Sequence, residues 1–491
     1  MKNPKLLEIN VRLLVRRFDA EDKRAKLSDI PFSYWKNLAD KGFEIIWLMG
    51  VWETTNILVD RCCFDEYLIQ SYNRTLKDWQ RKDVIGSPYA IDTYEINSEL
   101  GTNKDLLQLK KTLNELNILL MLDFVPNHFS AETELLKTHP DIFLETTEEI
   151  LSSDRHTFYR PIQQPHRIFA HGRDPFFPAW TDTIQLNYYN LNTRKFMTDT
   201  LLNIAELCDG VRCDMAMLTL NNVFGNTWRG VINEYLHPKP HDEFWQPAIA
   251  TVKKDYPDFI FLAEAYWDLE WDLQQLGFDF TYDKKLLDRL KDGTPKNIFD
   301  HLRADLSFQQ KSSRFLENHD EERAKHLLGM EKSLAAAVII STIPGMRFFF
   351  DGQAEGKKVK LPVQLGREPM ETKNKTVSNF YDKLFHITKN EIFSLGEWEL
   401  KEALPVWEKD HTNDNLLIWL WRYNSQHCLV VINYSGVTSQ GRIKINTEVS
   451  QALVTLTDLL SGREYLRSAE ELFYSGLFVE LGSYQAHLFQ Y

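Results

Sequence analysis

Three carboxylic acids in this chain each stand at the end of a segment that is typical of a buried β-strand. Asp214 closes Gly-Val-Arg-Cys-Asp, Glu264 lies in Ala-Glu-Ala, and Asp320 closes Glu-Asn-His-Asp. A fourth segment, Asp-Phe-Val-Pro-Asn-His, runs from Asp123 to His128. Two carboxyl groups about 5–5.5 Å apart can serve as nucleophile and as general acid, then base, at the acetal carbon of a glycoside. We therefore expect Asp214 and Glu264 to lie about 5–6 Å apart in a shared cleft.

Apolar residues precede each of these segments, and they must position the polar groups. The runs are short: 118–122, a weaker stretch around Leu207, 259–262, and Phe315 with Leu316. A short apolar run that ends in polar residues is typical of the carboxyl end of a buried parallel strand. Such ends meet at the C-terminal rim of a (β/α)8 barrel, where that fold carries its chemistry. The sequence thus predicts an α/β fold built on a TIM barrel.

Alternating strand-like and helix-like patterns support a parallel sheet. Strands are predicted at 7–14, 43–48, 118–124, 278–282 and 347–350, and helices at 32–41, 103–116, 193–206 and 376–389. From 127 to 192 the chain is loop-rich, and beyond 393 its apolar residues alternate with period two, as in an antiparallel β-sandwich. We therefore expect a catalytic barrel over 1–126 and 193–392, an inserted domain over 127–192, and a C-terminal β-sandwich over 393–491.

In their order along the chain, the four segments resemble the signatures of the α-amylase family of glycoside hydrolases, family 13. Asp123 to His128 is similar to Asp-x-x-x-Asn-His, and the segments that close at Asp214 and Asp320 match Gly-x-Arg-x-Asp and Asn-His-Asp. The resemblance extends over nearly the whole chain and implies the barrel, the domain inserted after the third strand and the C-terminal domain. It also implies that Asp214 is the nucleophile, that Glu264 is the acid/base, and that Asp320 holds the sugar hydroxyls nearest the cleaved bond.

Elementary physics agrees with this division of roles. Arg212 lies two residues before Asp214, so both side chains share one face of a strand, and a guanidinium there is expected to lower the pKa of the Asp214 carboxyl. Glu264 lies between Ala263 and Ala265, and apolar surroundings raise the pKa of a carboxyl, as a proton donor requires. Taken singly, Arg212 with Asp214 could be a structural ion pair, and Glu264 could be a capping carboxylate. The four segments together favour catalysis.

The resemblance also implies a set of sugar-binding residues. His128 and His319 would hydrogen-bond hydroxyls of one sugar, and Tyr89 would stack beneath it. Trp267 would form the wall of the next subsite, a place for which Tyr266 competes. Residues 170–180 combine aromatic side chains with turn residues, a pattern that indicates a further cleft wall. An aromatic loop that packs on itself without contacting substrate would show the same pattern.

Two positions depart from the family pattern. Starch-cleaving members often carry Lys and His three and four residues after the nucleophile, where this chain has Met217 and Leu218. The leaving-group side of the cleft should therefore be more apolar, which places endo-cleavage of long starch in doubt. Residues 183–188, before the fourth strand, match neither of the variants of this segment that are associated with α-1,6 or with cyclodextrin specificity. The subfamily therefore stays open.

Composition limits the partners. The chain has 491 residues and a formal net charge of −13, which argues against nucleic acid or an anionic membrane surface as a partner. An α-glucan or α-gluco-oligosaccharide is uncharged, so the net charge does not argue against it as a partner. Five cysteines without disulfide or zinc spacing, and an N-terminus without a signal peptide, favour a cytoplasmic protein. No cofactor is required, although Asn127 stands where many relatives bind calcium.

The leading hypothesis is a retaining enzyme that cleaves α-glucosidic bonds by hydrolysis or by glucanotransfer. A phosphorylase acting on a small α-glucoside uses the same chemistry with phosphate as the acceptor. A non-catalytic carbohydrate-binding protein on the same fold is the alternative from another class. Such a protein would be expected to have lost one of the three acids, and this chain keeps Asp214, Glu264 and Asp320.

Overall fold

Eight parallel strands form a closed barrel in the computed structural model, which describes residues 2–21, 23–445 and 452–491. Each strand pairs with its neighbours in sequence order, and β1 closes the barrel by pairing with both β2 and β8. This confirms the predicted (β/α)8 architecture. The strands are β1 (Lys5–Asn10), β2 (Ile45–Met49), β3 (Leu119–Phe124), β4 (Gly210–Cys213), β5 (Ile260–Ala263), β6 (Phe280–Tyr282), β7 (Ser312–Arg314) and β8 (Met346–Phe350).

Side chains of the barrel strands alternate between two cores. Leu6, Trp47 and Met121 point into a cluster that fills the barrel, whereas Leu7 and Leu48 belong to the larger cluster between strands and helices. Both faces of such strands are buried, which is why the strands read as continuous apolar runs. Polar residues on the inner face, at the strand ends, therefore project into the C-terminal mouth of the barrel.

Helices cover the outside of the barrel. Thr102 begins one of them with a capping box, because its hydroxyl accepts a hydrogen bond from the Asp105 N–H while the Asp105 carboxylate accepts from the Thr102 N–H. Within the described residues, no helix combines the length and the apolar character needed to cross a bilayer. The longer helices are Phe32–Asp40, Glu66–Thr75, Asn103–Glu115, Leu191–Leu207, Trp245–Asp255, Lys284–Asp292, Pro295–Leu302, Met330–Thr342 and Lys375–Ile387.

Three strand predictions need correction. β1 ends at Asn10 and does not continue to residue 14, because the Asn10 side chain accepts a hydrogen bond from the Arg12 N–H and begins the short helix Val11–Leu14. Leu207 is the last residue of a helix and precedes β4. Phe315 and Leu316 follow β7, whose own residues are polar. In each case the local apolar run marks burial and not the strand itself.

Short hairpins make up the region after β3. His128–Ser130 pairs antiparallel with Thr183–Gln185, and Phe158–Tyr159 pairs with Phe169–Ala170. A similar hairpin, Trp52–Thr54 with Ile91–Ile96, lies in the long connection after β2. These segments stand above the C-terminal mouth because they leave from strand ends.

The C-terminal part of the chain is antiparallel, as predicted. Its strands are β9 (Glu397–Lys401), β10 (Leu416–Tyr423), β11 (Gln426–Asn433), β12 (Ser439–Ile443), β13 (Leu453–Asp458), β14 (Glu464–Ser468), β15 (Leu477–Leu481) and β16 (Ala486–Gln490). Six form one sheet in the order β9-β10-β11-β16-β13-β14, and β12 pairs with β15 in a second sheet. Both sheets contribute to one apolar core. The Trp421 indole N–H donates to the Thr342 carbonyl and so ties this domain to the barrel.

Candidate active site

A single buried guanidinium organises the mouth of the barrel. Arg212 Nη1 donates a hydrogen bond of 2.7 Å to Asp214 Oδ1 and lies 3.6 Å from Asp123 Oδ1. Its Nη2 lies 2.7 Å from Glu264 Oε2, but its N–H groups are not aimed at that oxygen, so this contact is an ion pair without hydrogen-bond geometry. Because one guanidinium bridges Asp214 and Glu264, the two carboxyl groups share one end of the barrel, as a pair that acts on one glycosidic bond must.

Aromatic rings fix the position of Arg212. The guanidinium carbon lies 5.0 Å from the ring centre of Trp47, 5.3 Å from that of Tyr89 and 5.7 Å from that of Tyr282. Its Nε also donates to the Tyr282 hydroxyl, at 3.3 Å. Cation–π contacts strengthen where water is excluded, and the Arg212 side chain has no solvent exposure. The ring cage therefore holds the guanidinium, and the guanidinium in turn holds both acids.

Two donors orient the Glu264 carboxyl. The Met215 backbone N–H donates to Oε2 at 2.8 Å, and the Tyr266 hydroxyl donates to Oε1 at 2.8 Å. Burial raises the pKa of Glu264 to about 7, against the opposing charge of Arg212, which agrees with the direction predicted from its neighbours. A carboxyl with this pKa can hold a proton near neutral pH, as a general acid requires.

The Asp214 carboxyl behaves differently from the expectation. Its pKa is raised, because burial outweighs the opposing charge and hydrogen bond of Arg212. The predicted lowering of the Asp214 pKa is therefore wrong in net direction, although Arg212 acts in the direction expected. The sequence shows the neighbouring arginine, but the depth of the site follows only from the assembled barrel.

Three residues with left-handed backbone conformations lie close to the two acids in sequence. Met215 directly follows Asp214 and has a φ of +42°, while Trp267 and Asp268 have φ values of +63° and +66°. Such left-handed conformations cost on the order of 1–3 kcal/mol each for residues with a side chain, and they are typical of functional sites. At Met215 the strained backbone aims the N–H at Glu264.

His319 lies between two carboxylates. Its Nδ1 is 2.6 Å from Glu8 Oε1, and its Nε2 is 3.0 Å from Asp320 Oδ2 and 2.8 Å from the Tyr89 hydroxyl. Burial alone would lower the pKa of His319, but the charges of Asp320 and Glu8 raise it well above its ordinary value. Partial desolvation likewise opposes ionisation of Asp320, yet the charge of His319 lowers its pKa to about 2. The side chain of Asp320 is 52% exposed, so an ionised carboxylate faces the cleft.

The remaining predicted sugar contacts are placed around this centre. Tyr89 stacks on His319, with ring centres 5.3 Å apart. His128 is buried beside the Trp180 ring, and burial lowers its pKa to about 3, which leaves the imidazole neutral at ordinary pH. Trp267 is half-buried and packs edge-to-face on the exposed ring of Phe176, 5.0 Å between centres. Trp180 and Phe176 thus bring the 170–180 segment against two of the predicted site residues.

Two residues of the site escaped the sequence analysis. Glu8 and Tyr282 lie on barrel strands and contact His319 and Arg212, respectively. Tyr266, expected only as a competitor of Trp267 for the subsite wall, donates a hydrogen bond to the Glu264 carboxyl. Glu8 carried a signal, because it is an acidic residue inside the apolar strand β1. Tyr282 ends β6 and obeys the same strand-end rule as the acids.

Comparison with known protein families gives a match over most of the chain. The alpha amylase catalytic domain matches residues 42–390. The chain belongs to this family. The match spans β2 to β8 and therefore includes Asp214, Glu264 and Asp320.

Related proteins bear alpha-amylase and transferase names. The chain is 24% identical over 390 residues to alpha-amylase MalA of Haloarcula japonica, covering 77% of this chain and 51% of that protein. It is 23% identical over 443 residues to an alpha-1,4-glucan:maltose-1-phosphate maltosyltransferase of Picrophilus torridus, and the match covers 85% of this chain and 62% of that protein. It thus spans only about half to two thirds of these relatives. A maltogenic alpha-amylase of Thermotoga neapolitana shares the fold, with a TM-score of 0.70, 20% identity, and coverage of 100% of this chain and 98% of that one.

The surroundings of Asn127 do not fit the calcium ion that the resemblance implies. Asn127 Oδ1 accepts a hydrogen bond from Gln185 Nε2 at 3.0 Å, so a donor faces the oxygen that would bind the cation. Within the described residues, no group of three or more His, Cys, Asp and Glu side chains could hold a metal. Calcium sites are built from carboxylate and carbonyl oxygens. No step of the chemistry is therefore assigned to calcium.

Met217 and Leu218 present almost no accessible side-chain surface. Both lie in the short 3-10 helix Ala216–Thr219, and both are buried. The expectation that they give the leaving-group side an apolar surface is therefore wrong. One part of the expectation remains: the side chains of Met217 and Leu218 offer no hydrogen bond to a sugar.

Replacing Tyr266 by Phe is expected to shift the alkaline limb of the kcat/KM profile to higher pH by about one unit, the scale of one hydrogen bond to a charged group. The Tyr266 hydroxyl donates to Glu264 Oε1, and a donor stabilises the ionised carboxylate more than the neutral acid. Its loss raises the pKa of Glu264 above 7, so the proton donor stays protonated further into the alkaline range. Tyr89→Phe, which removes a hydroxyl bound to His319 and not to Glu264, is the matched comparison. An unmoved limb in Tyr266→Phe would contradict this role.

Proposed function

We propose that this chain cleaves α-glucosidic bonds with retention of anomeric configuration, through a covalent glycosyl-enzyme intermediate. The observation that carries the proposal is the buried Arg212, which holds Asp214 and Glu264 together at the C-terminal mouth of the barrel. Membership of the alpha-amylase family supports the α-glucosidic substrate class.

In the proposed mechanism, Asp214 attacks the anomeric carbon while Glu264 gives its proton to the departing glycosidic oxygen. Glu264, now ionised, then takes a proton from the incoming acceptor, which attacks the same carbon and frees Asp214. The raised pKa of Glu264, about 7, suits the first step. In the ionised state that the second step needs, the carboxylate keeps the Met215 and Tyr266 hydrogen bonds and the nearby charge of Arg212.

Asp320 and His128 would bind the sugar that undergoes attack, and His319 would position Asp320 and Tyr89. The exposed, ionised Asp320 can accept hydrogen bonds from ring hydroxyls, and they strengthen as the ring flattens toward an oxocarbenium ion. The neutral His128 can donate and accept, whereas the protonated His319 is committed to Glu8, Asp320 and Tyr89. We therefore assign His319 mainly to placing Asp320 and Tyr89.

Hydrolysis and transfer differ only in the acceptor. Related proteins carry alpha-amylase, maltosyltransferase and cyclomaltodextrin glucanotransferase names, which supports both outcomes for this chain. Phosphorolysis of a small α-glucoside is the same chemistry with phosphate as acceptor. The decisive experiment is product analysis on maltose, maltoheptaose, starch, sucrose and trehalose, with and without phosphate, with NMR of the first-formed anomer. A first-formed β anomer would exclude retention, and a sugar phosphate would identify a phosphorylase.

Short α-gluco-oligosaccharides are expected to be better substrates than starch. Met217 and Leu218 offer no hydrogen bonds to the leaving-side sugars, and the exposed ring of Phe176 packs against Trp267, the predicted wall of the next subsite. Measurement of kcat/KM from maltose to maltoheptaose and on soluble starch tests this. Efficiency that rises steeply with length and is greatest on starch would overturn it.

We also propose a cytoplasmic location. All five cysteines are free thiols, and three of them, Cys208, Cys213 and Cys428, are buried in the largest apolar core of the protein. Free buried thiols suit a reducing compartment. Short oligosaccharides, the proposed substrates, are the α-glucans that enter such a compartment.

A further inference from the structure

Three carbonyl oxygens converge on one side-chain nitrogen between β3 and the inserted region. Gln185 Nε2 lies 2.9 Å from the Asn127 backbone oxygen, 3.0 Å from Asn127 Oδ1 and 3.0 Å from the Leu186 backbone oxygen. Gln185 has no solvent exposure, and Asn127 is 1% exposed. An amide nitrogen has only two N–H groups, so at least one of them is shared between two of these oxygens.

The orientation of the Gln185 amide follows from its partners. Were oxygen and nitrogen exchanged, four lone-pair-bearing oxygens would face one another in a buried space, at a high cost in desolvation and repulsion. Gln185 Oε1 is not among these contacts and has no hydrogen-bond partner within the part of the chain that the structure describes. In this orientation Oε1 is an unsatisfied acceptor, while Nε2 donates to the three oxygens.

Backbone carbonyl and side-chain amide oxygens are also among the ligands that a calcium ion takes. We propose that the Gln185 amide takes the place of a cation in this chain, so that the inserted region is fixed to the barrel without calcium. The partial positive charge of the NH2 group binds the same oxygens that a cation would bind.

The position of Gln185 explains why such a replacement matters for the site. Asn127 follows β3 and directly precedes His128, and Thr183–Gln185 is the strand that pairs with His128–Ser130. The amide therefore joins the first and last strands of the inserted region at the point where His128 enters the cleft. Fixing Asn127 also fixes His128.

Wild-type protein is expected to melt at the same temperature in EDTA and in millimolar CaCl2. A ligand that binds only the folded state raises the Tm with its concentration, so an unchanged Tm together with no heat of calcium binding in calorimetry supports the inference. A rise of several degrees on adding CaCl2, reversed by EDTA, would overturn it.

Gln185→Glu is the sharper test. The substitution removes the donor and sets a carboxylate against three carbonyl oxygens, so the Tm in EDTA should fall by about 5 °C or more. The same carboxylate supplies the charge that a calcium site lacks, so CaCl2 should restore at least half of the lost Tm, and MgCl2 should restore less because it demands stricter geometry. If Gln185→Glu and wild-type protein have the same Tm in EDTA, the inference is overturned, because the Gln185 amide would then contribute nothing to stability.

Gln164→Glu is the matched control. Gln164 lies in the same inserted region, and its Nε2 donates to a single carbonyl, that of Leu136, at 2.9 Å. It undergoes the same change of charge but faces one oxygen and not three, so its Tm should not respond to calcium. If Gln185→Glu does not fold at all, the wild-type titration alone decides: calcium binding overturns the inference, and its absence, with the loss of folding, supports it.

Discussion

Asp214→Asn is expected to lower kcat by roughly 10⁴-fold or more while the protein stays folded, since removal of a catalytic nucleophile commonly costs this much. An amide oxygen has no negative charge with which to attack an anomeric carbon. Its volume is close to that of the carboxylate, and its oxygen can still accept the hydrogen bond from Arg212 Nη1. The measurement is kcat on the best substrate of the panel, with near-ultraviolet circular dichroism and Tm to verify the fold.

Asp209→Asn provides the comparison for that experiment. Asp209 lies just before β4, at the opposite end of the strand from Asp214, where its carboxylate accepts from the Leu120 N–H and the Asn114 amide. Its substitution should lower stability and leave kcat nearly unchanged. Equal kcat in wild-type and Asp214→Asn protein would remove Asp214 from the chemistry, whatever happens at Asp209.

Local apolar patterning was enough to predict the barrel, because each parallel strand is buried on both faces and ends in polar residues. Asp214, Glu264 and Asp320 could be found in this way, and so could Glu8, whose charge interrupts the apolar residues of β1. Strand limits were less accurate: Asn10 begins a helix by capping it, and the apolar Leu207 belongs to a helix. A run of apolar residues indicates burial, which strands, helices and the residues after a strand all share.

The electrostatics of the site could not be predicted in the same way. The sequence places Arg212 near Asp214, but the net pKa of Asp214 depends on how completely the barrel excludes water. The third contact of the guanidinium, with Glu264, joins two different strands and appears only on folding. Gln185 shows the same limit, because its three oxygens come from residues whose approach is set by strand pairing.

Glu264→Gln is expected to discriminate between leaving groups. A poor leaving group, such as the hydroxyl of another glucose, needs a proton as it departs, and general acid catalysis typically contributes 10²–10⁴-fold. The variant should therefore lose about that factor in kcat/KM on maltooligosaccharides. Aryl α-glucosides with acidic phenols leave without a proton, so their kcat/KM should fall far less.

The pH profile gives an independent check on the same variant. In the wild type, Glu264 with a pKa of about 7 must be protonated for the first step, so kcat/KM on maltooligosaccharides should fall as pH rises through 7. The amide introduced by Glu264→Gln cannot titrate, so the alkaline limb should disappear from this variant, while Asp214→Asn protein loses natural and aryl substrates alike. Equal losses on both substrate classes, or an alkaline limb that persists near pH 7 in Glu264→Gln, would show that another group supplies the proton. Asp123, whose pKa burial also raises to about 7, is the nearest candidate, because it contacts the same guanidinium.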